Sequence, residues 1–199
     1  MGILLEIFGP SRKEIWRELC RQIKADYVDV GFWNRDKVRA HFKQWTITLD
    51  IVSDDDSSYT RLRAPYVNSD NFRFTIYRTS IFTGIANFFG MQDIQIGEAY
   101  FDDEFVIQGN DQAKVVRFFS NPRIRELIRR QPSIWLSVKD DEGYFGTHFP
   151  EGVDELCFRV SGVIKDIEQL KSLFELFAES LNMLCHMGSA YENDPKLEL

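Results

Sequence analysis

The sequence predicts an α+β fold, a curved antiparallel sheet packed by an N-terminal helix, a central helix pair and a long C-terminal helix. Three observations predict it. Apolar residues alternate at period two from Val28 to Ile76, which reads as a five-strand meander. About three later strands follow between Ile134 and Val163. Two capped amphipathic runs, beginning at Ser11 and Asp166, bracket all of these strands.

The first helix opens at Pro10-Ser11-Arg-Lys-Glu14, the pattern of a capping box, and carries Ile15, Trp16, Leu19, Cys20 and Ile23 on one face. It ends near Lys24. Strand signals follow at Val28–Phe32, Val38–Phe42, Trp45–Ile51, Thr60–Ala64 and Phe72–Ile76, with polar turns at Asn34–Asp36, Ser53–Ser58 and Asn68–Asn71. Residues 79–91 are uncharged and break the alternation, and their spacing suits a short helix ending at Gly90. Ile94–Ile96 and Phe105–Ile107 are short strand candidates. Asp111 leads into a helix bearing Val115, Phe118 and Phe119. Asn121-Pro122 then gives an N-cap with proline at the first helical position, opening a second helix on Ile124, Leu127 and Ile128. Strands are expected at Ile134–Val138, Tyr144–Phe149 and Leu156–Val163, and the last helix runs from Asp166 to Gly188. A single domain is expected over residues 1–190, with a polar, frayed tail at 191–199.

The 199 residues are 44% apolar with a net charge of −7, enough chain for one continuous core and too apolar for a disordered segment. No stretch reaches the ~18 consecutive apolar residues of a membrane span. Three separated cysteines without a C-x-x-C suit a reducing compartment, so the cytoplasm is the expected location.

Signatures of catalysis are sparse, and no cofactor is implied. The chain has no P-loop, no G-x-G-x-x-G, no G-x-S-x-G and no H-E-x-x-H. Cys185 and His186 are adjacent on a helix and diverge by ~100°, which excludes a nucleophile–base pair. Acidic clusters stand at residues 54–56, 102–104 and 140–142. Asp102, Asp103 and Glu104 are the ones most worth testing as ligands of a hard cation, since Phe101 and Phe105 would anchor them. The simpler reading is a set of solvated turns.

Strand parity places Arg39, His41, Lys43, Tyr59, Arg61, Arg63, Arg73 and Tyr77 on the face away from the core. Bases interleaved with tyrosines could hold phosphates and stack nucleobases. A net acidic chain opposes a polyanion partner, so an ordinary solvated or covered face is the simpler reading. Arg123, Arg125, Arg129 and Arg130 form a second basic group. Residues 112–130 hold six bases and one acid while residues 98–111 hold five acids, and neutralisation between neighbours explains both. Ile81, Phe82, Phe88 and Phe89 fill core if buried. If exposed, they offer a protein interface, an oligomer contact or shallow membrane contact through residues 81–91.

The stretch Ile96-Gly-Glu-Ala-Tyr-Phe101-Asp102-Asp-Glu-Phe105-Val-Ile-Gln-Gly109-Asn110-Asp111, continued by Arg117 and Ile124-Arg-Glu-Leu127, resembles an uncharacterised group of bacterial proteins. That group shares F-D-x-x-F-x-[IV]-x-[GS]-x-D before a helix pair. The resemblance covers about a sixth of the chain. It implies a bacterial origin and a module used in several contexts, and it names no catalytic residue.

The leading expectation is a non-enzymatic cytoplasmic binding module whose partner is a protein or a small apolar ligand, with nucleic acid disfavoured. The alternatives are a metal-assisted hydrolase using Asp102–Glu104 and a single-strand nucleic-acid binder using the basic, tyrosine-bearing face.

Overall fold

A computed structural model describes residues 9–29, 31, 36–53, 57–81, 92–140, 149–193, 195 and 197. Helix α1 (Arg12–Ile23) begins as its capping box dictates: the Ser11 hydroxyl accepts the Glu14 amide, and the Glu14 carboxylate accepts the Ser11 amide. Its apolar stripe buries Ile15, Trp16, Leu19 and Cys20, and Lys24 ends it in the left-handed conformation at φ 56°.

The strands β1 (Asp26–Val28), β2 (Lys37–Phe42), β3 (Trp45–Ser53) and β4 (Ser58–Asn68) form an antiparallel meander. The fifth strand of the expected meander lies elsewhere. Strand β5 (Phe74–Arg78) is separated from β4 by two strands, β9 (Val153–Ser161) and β8 (Trp135–Lys139). Length decides the pairing: β9 aligns with β4 over the whole run from Thr60 to Val67, a ladder the five residues of β5 could not supply. The sheet reads β1-β2-β3-β4-β9-β8-β5-β7-β6, with β6 (Gln92–Asp93) and β7 (Phe105–Gly109) at the far edge. A short strand β10 (Ala190–Tyr191) also pairs with β4.

Helices α2 (Ala99–Glu104), α3 (Gln112–Phe119), α4 (Pro122–Arg129) and α5 (Ile167–Met187) complete the chain. Apolar side chains from α1 through α5 join Val38, Leu49, Leu62, Phe74, Ile107, Leu136 and Phe158 of the sheet in one core. Helix α5 spans this inner face, capped by Asp166 through the Gln169 amide and stopped by Gly188 at φ 82°. The alternation read from the sequence therefore gives the correct inner face, with Leu49 and Phe74 fully buried.

Residues 101–111 form a compact folding unit. Phe101 and Phe105 pack with ring centres 4.7 Å apart, and Ile107 enters the core. Gly109 leaves no room for a side chain, since a Cβ there would lie 2.5 Å from Val115 Cγ2. Asp111 caps α3 by accepting the Lys114 amide. Helix α2 was not expected, and the expected strand at Ile94–Ile96 is instead the shorter β6 followed by coil. The expected strand over 144–149 and helix over 79–91 lie largely outside the described residues, apart from a 3-10 turn at Thr79–Ile81. Tyr191, the first residue of the tail expected to fray, is paired with Val67 in the sheet.

Candidate functional site

The outer face of the sheet collects the bases that parity assigned to it. In one cross-strand row Asp50, Arg61 and Arg159 are direct neighbours, and in the next Arg39, Thr48, Arg63 and Cys157 are. Neighbouring positions in such rows lie ~5 Å apart, so these side chains share one surface. Over β2, β3, β4, β9 and β8 this face carries six lysines and arginines (Lys37, Arg39, Arg61, Arg63, Lys139, Arg159) against the carboxylates Asp50 and Glu155.

Asp50 is the hub. Arg61 donates to it twice, at 2.9 and 2.8 Å, and Arg63 donates at 3.2 Å. Such forked, charge-assisted bonds fix a guanidinium plane as well as its charge. Glu155 is fully buried and pairs with Lys139, its cross-strand neighbour, at 3.2 Å. The excess of cations is felt at Lys37, whose ammonium is pushed below its usual pKa by burial and then by Arg63, with Arg39 and Arg61 adding to it against Asp50.

This face is not the open platform that a base-stacking surface needs. Arg63 is 4% exposed and Tyr77 2%. The Tyr77 ring stacks on Trp135 at 5.2 Å, and the Arg159 guanidinium lies 3.9 Å over the Tyr59 ring. Both tyrosine faces are thus engaged within the chain. Two further residues leave the expected group. Arg73 precedes β5 and turns to the end of the sheet, where it donates to Asp154 at 3.0 Å and Asp140 at 2.8 Å. Lys43 sits in the β2–β3 turn at φ 54° and pairs with Glu192 at 3.0 Å. The structure therefore brings together Arg39, His41, Tyr59, Arg61 and Arg63, and separates Arg73 from them. Phe82, Phe88 and Phe89 lie outside the described residues, as does the side chain of Ile81.

One proline shapes the accessible part of this face. The amides of Thr60 and Asn68 donate toward the β9 side, to Gly162 and Gly152, so alternation turns the backbone of residue 65 toward β3. Pro65 has no N–H to give there, and β3–β4 pairing ends at Thr48↔Arg63. Past that point the strands part, and β10 takes the β3 side of Val67 and Asn68. Across the outer face from β1 to β4 lies a cleft of about 190 Å³, lined by Val28, Arg39, His41, Thr46, Pro65 and Leu197. His41 lies 3.7 Å from Asp26 and 3.2 Å from the Thr46 hydroxyl at its rim.

The acidic segment at 102–104 is engaged in structure. Asp102 accepts the amides of Ile96, Gly97 and Glu98 at 2.9, 3.0 and 3.1 Å, which folds the loop ahead of α2. Glu104 faces Arg78 and Arg129 at 3.7 and 3.1 Å, and Asp103 is exposed. Among the described residues no three His, Cys, Asp or Glu side chains are grouped as a metal requires. The second basic group is neutralised by neighbours: Arg125 pairs with Glu98, Arg129 with Glu104, Arg130 with Glu126, and Arg123 with Glu126 and Glu175. Burial pushes the thiols of Cys20 and Cys157 up to about 11 and about 12, leaving both protonated and poorly nucleophilic.

Lys37, Asp50, Lys139, Glu155 and Arg159 complete the face and were not singled out from the sequence. Parity alone could have found the first two, since they alternate with Val38 and Leu49. Pro65 and Leu197 carried no such signal, because their role depends on where β3 leaves β4.

Among the described residues, an open antiparallel sheet with its helices on one face defines the class of this α+β protein. No known sequence family matches the chain, and no curated protein does. A crystal structure of the mycobacterial trehalose monomycolate transport factor A, TtfA, superposes with a TM-score of 0.52, covering 87% of this chain and 96% of that one at 9% identity. At that identity the likeness is one of fold. Among the described residues no helix is long and apolar enough to cross a membrane.

Proposed function

We propose that the protein is a non-enzymatic binding module whose partner engages the outer face of β2, β3, β4, β9 and β8 through its basic rows. The observation that carries this reading is the concentration of six bases against two carboxylates on one face of a chain whose net charge is −7. Charge sorted so unevenly steers an anionic partner and sets its register. The buried hub at Asp50 holds the inner guanidiniums in place, and Arg39, His41 and Arg159 are more open to solvent. The fold neighbour is itself named as a transport factor, which fits a binding role. The resemblance of residues 96–127 to an uncharacterised bacterial group fits as well. Phe101, Asp102, Phe105, Ile107, Gly109 and Asp111 of that motif all have structural tasks here, so the motif would mark a scaffold and leave partner choice to the outer face.

The test is affinity capture from the native cell extract with quantitative mass spectrometry. It uses the wild-type chain, the Arg39→Glu/Arg159→Glu variant, and Arg130→Glu on the opposite side of the fold as control. A partner held through this face is recovered equally by wild type and control and falls at least ~10-fold with the double variant, as loss of rim charges predicts. Equal recovery with all three chains would sink the reading.

A further inference from the structure

We infer that the free edge of β1, together with the helix α1 beside it, is a docking site for an acidic segment of a partner protein that adds to the sheet as a further strand. None of its cations belongs to the basic rows of the outer face, so this is a second site, independent of the reading above. Three observations carry it. The first is that β1 ends the sheet: Asp26, Tyr27 and Val28 pair with Arg39, Val38 and Lys37 of β2, and among the described residues no strand lies on the other side. A strand paired on one side only turns every second N–H and C=O outward, a template for another strand. The second is a shallow groove of about 600 Å³ along this edge, lined by Arg17, Cys20, Arg21 and Lys24 from α1 and its cap and by Ala25, Asp26 and Tyr27 from the strand side. The third is its charge. Three cations face the single carboxylate of Asp26, on a chain whose net charge is −7.

The local geometry sets the spacing that such an occupant must have. The chain turns back tightly after α1, with Lys24 in the left-handed conformation and the Ala25 amide donating to the Cys20 carbonyl at 3.0 Å. Strand β1 therefore runs back along the helix. The Arg17 guanidinium lies 5.1 Å from the centre of the Tyr27 ring, and Asp29, just past the strand, is met by Lys13 at 3.7 Å and by Arg17 at 3.8 Å. A strand added to β1 lies alongside α1 in the same way. Arg17 and Arg21 are four residues apart, a rise of ~6 Å along the helix. Every second side chain of a strand repeats at ~6.6 Å, so acids at alternate positions of the incoming segment meet both guanidiniums in turn. These cations are available. Arg21 pairs only with Glu18 of its own helix, from a side chain 75% exposed, and Arg17 meets Asp29 from one 56% exposed. Exposed pairs of that kind contribute little and exchange for an incoming carboxylate. Main-chain bonds to the edge then give the affinity, and the alternate acids give the register.

The experiment is fluorescence anisotropy on the full chain with three labelled synthetic peptides of equal length, alternating valine with glutamate, valine with glutamine, and proline with glutamate. The first should bind at least ~10-fold more tightly than either of the others, because the second lacks the charge and the third keeps the charge but loses half the N–H groups a strand needs. Arg17→Gln/Arg21→Gln should weaken the valine–glutamate peptide at least ~10-fold. Arg39→Glu/Arg159→Glu, which disables the outer face, should leave it unchanged. Hydrogen exchange on the complex places the added strand, since amides within residues 26–28 should gain protection. Equal binding of the valine–glutamate and proline–glutamate peptides would reduce the site to charge alone. Binding lost in Arg39→Glu/Arg159→Glu and kept in Arg17→Gln/Arg21→Gln would move it to the outer face. Either result overturns the inference, as does binding without added protection at residues 26–28. So does the absence of binding, which would leave the α1 cations as guards of an exposed edge. The capture experiment above decides the outer-face reading separately, since its variants leave α1 intact.

Discussion

At Asp102 one carboxylate closes a loop by itself. Its two oxygens take three backbone amides, from Ile96, Gly97 and Glu98, and a carboxylate so engaged has little left to offer a cation. The same residue is therefore the best test of whether the acidic segment is structural. Asp102→Ala should cost ~2–3 kcal/mol in urea unfolding, because three charge-assisted bonds are lost. The loss should be the same with and without EDTA. A metal ligand would instead show a stability loss that appears only when divalent cation is present. Tyr59 and Tyr77 make the complementary point for the outer face: each ring already has a partner, Arg159 in one case and Trp135 in the other. Aromatic residues on a strand face mark a stacking platform only when their faces are open, and a sequence does not record that.

At the scale of elements, β4 is the strand on which the site depends. Its residues alternate so regularly that Leu62, Ala64 and Tyr66 are all fully buried, while Arg61 and Arg63 meet Asp50 on the other side. That much was legible, since period-two alternation is a local property. The caps at Ser11, Asp111, Asn121 and Asp166 were legible for the same reason, each being a short pattern satisfied within one turn. Strand order was not. Whether β5 or β9 lies beside β4 is settled by comparing ladders formed by segments about ninety residues apart, and nothing local reports it. The parting of β3 and β4 belongs to the same category, because Pro65 breaks a ladder only on the side its backbone faces. Replacing it tests that geometry. Pro65→Thr restores an N–H at a position that the strand pattern turns into the cleft. Its amide should be protected from deuterium exchange about as well as those of Ala64 and Tyr66, which face β9, because the β3–β4 ladder can then run past Thr48↔Arg63. Exchange markedly faster than its neighbours would mean that β3 and β4 part there for another reason and that the gap is not a product of the proline.

At the scale of the whole molecule, one polar cluster joins the end of the sheet to the helices and to the anchor of the C-terminal segment. Asp70 accepts from Lys114 at the start of α3 at 2.7 Å and from Ser189, just ahead of β10, at 2.9 Å. Asp154 of β9 accepts from Asn68 at 2.6 Å and from Arg73 at 3.0 Å. Burial on its own would raise the Asp70 carboxyl, but Lys114, Ser189 and the Phe72 amide outweigh it and hold the group below its ordinary range. A depressed carboxyl stabilises the fold at every pH above its unfolded value of ~3.9, and this contribution is lost as the pH falls through the lower, folded value. Asp70→Asn should therefore be less stable than wild type by ~1–2 kcal/mol at pH 7, the worth of hydrogen bonds to a charged group. The gap should narrow steadily below about pH 4 as wild type loses the same charge. Urea unfolding at a series of pH values reads this directly, and a gap that stays constant into acid would show that the Asp70 charge is not what joins these elements. The same substitution reaches the sheet, because Ser189 immediately precedes β10, which pairs with β4. At neutral pH the amides of Ala190 and Tyr191 should lose protection in Asp70→Asn before the amides of β4 and β9 do, since loosening the anchor frees the two-residue β10 without touching the long ladder beside it.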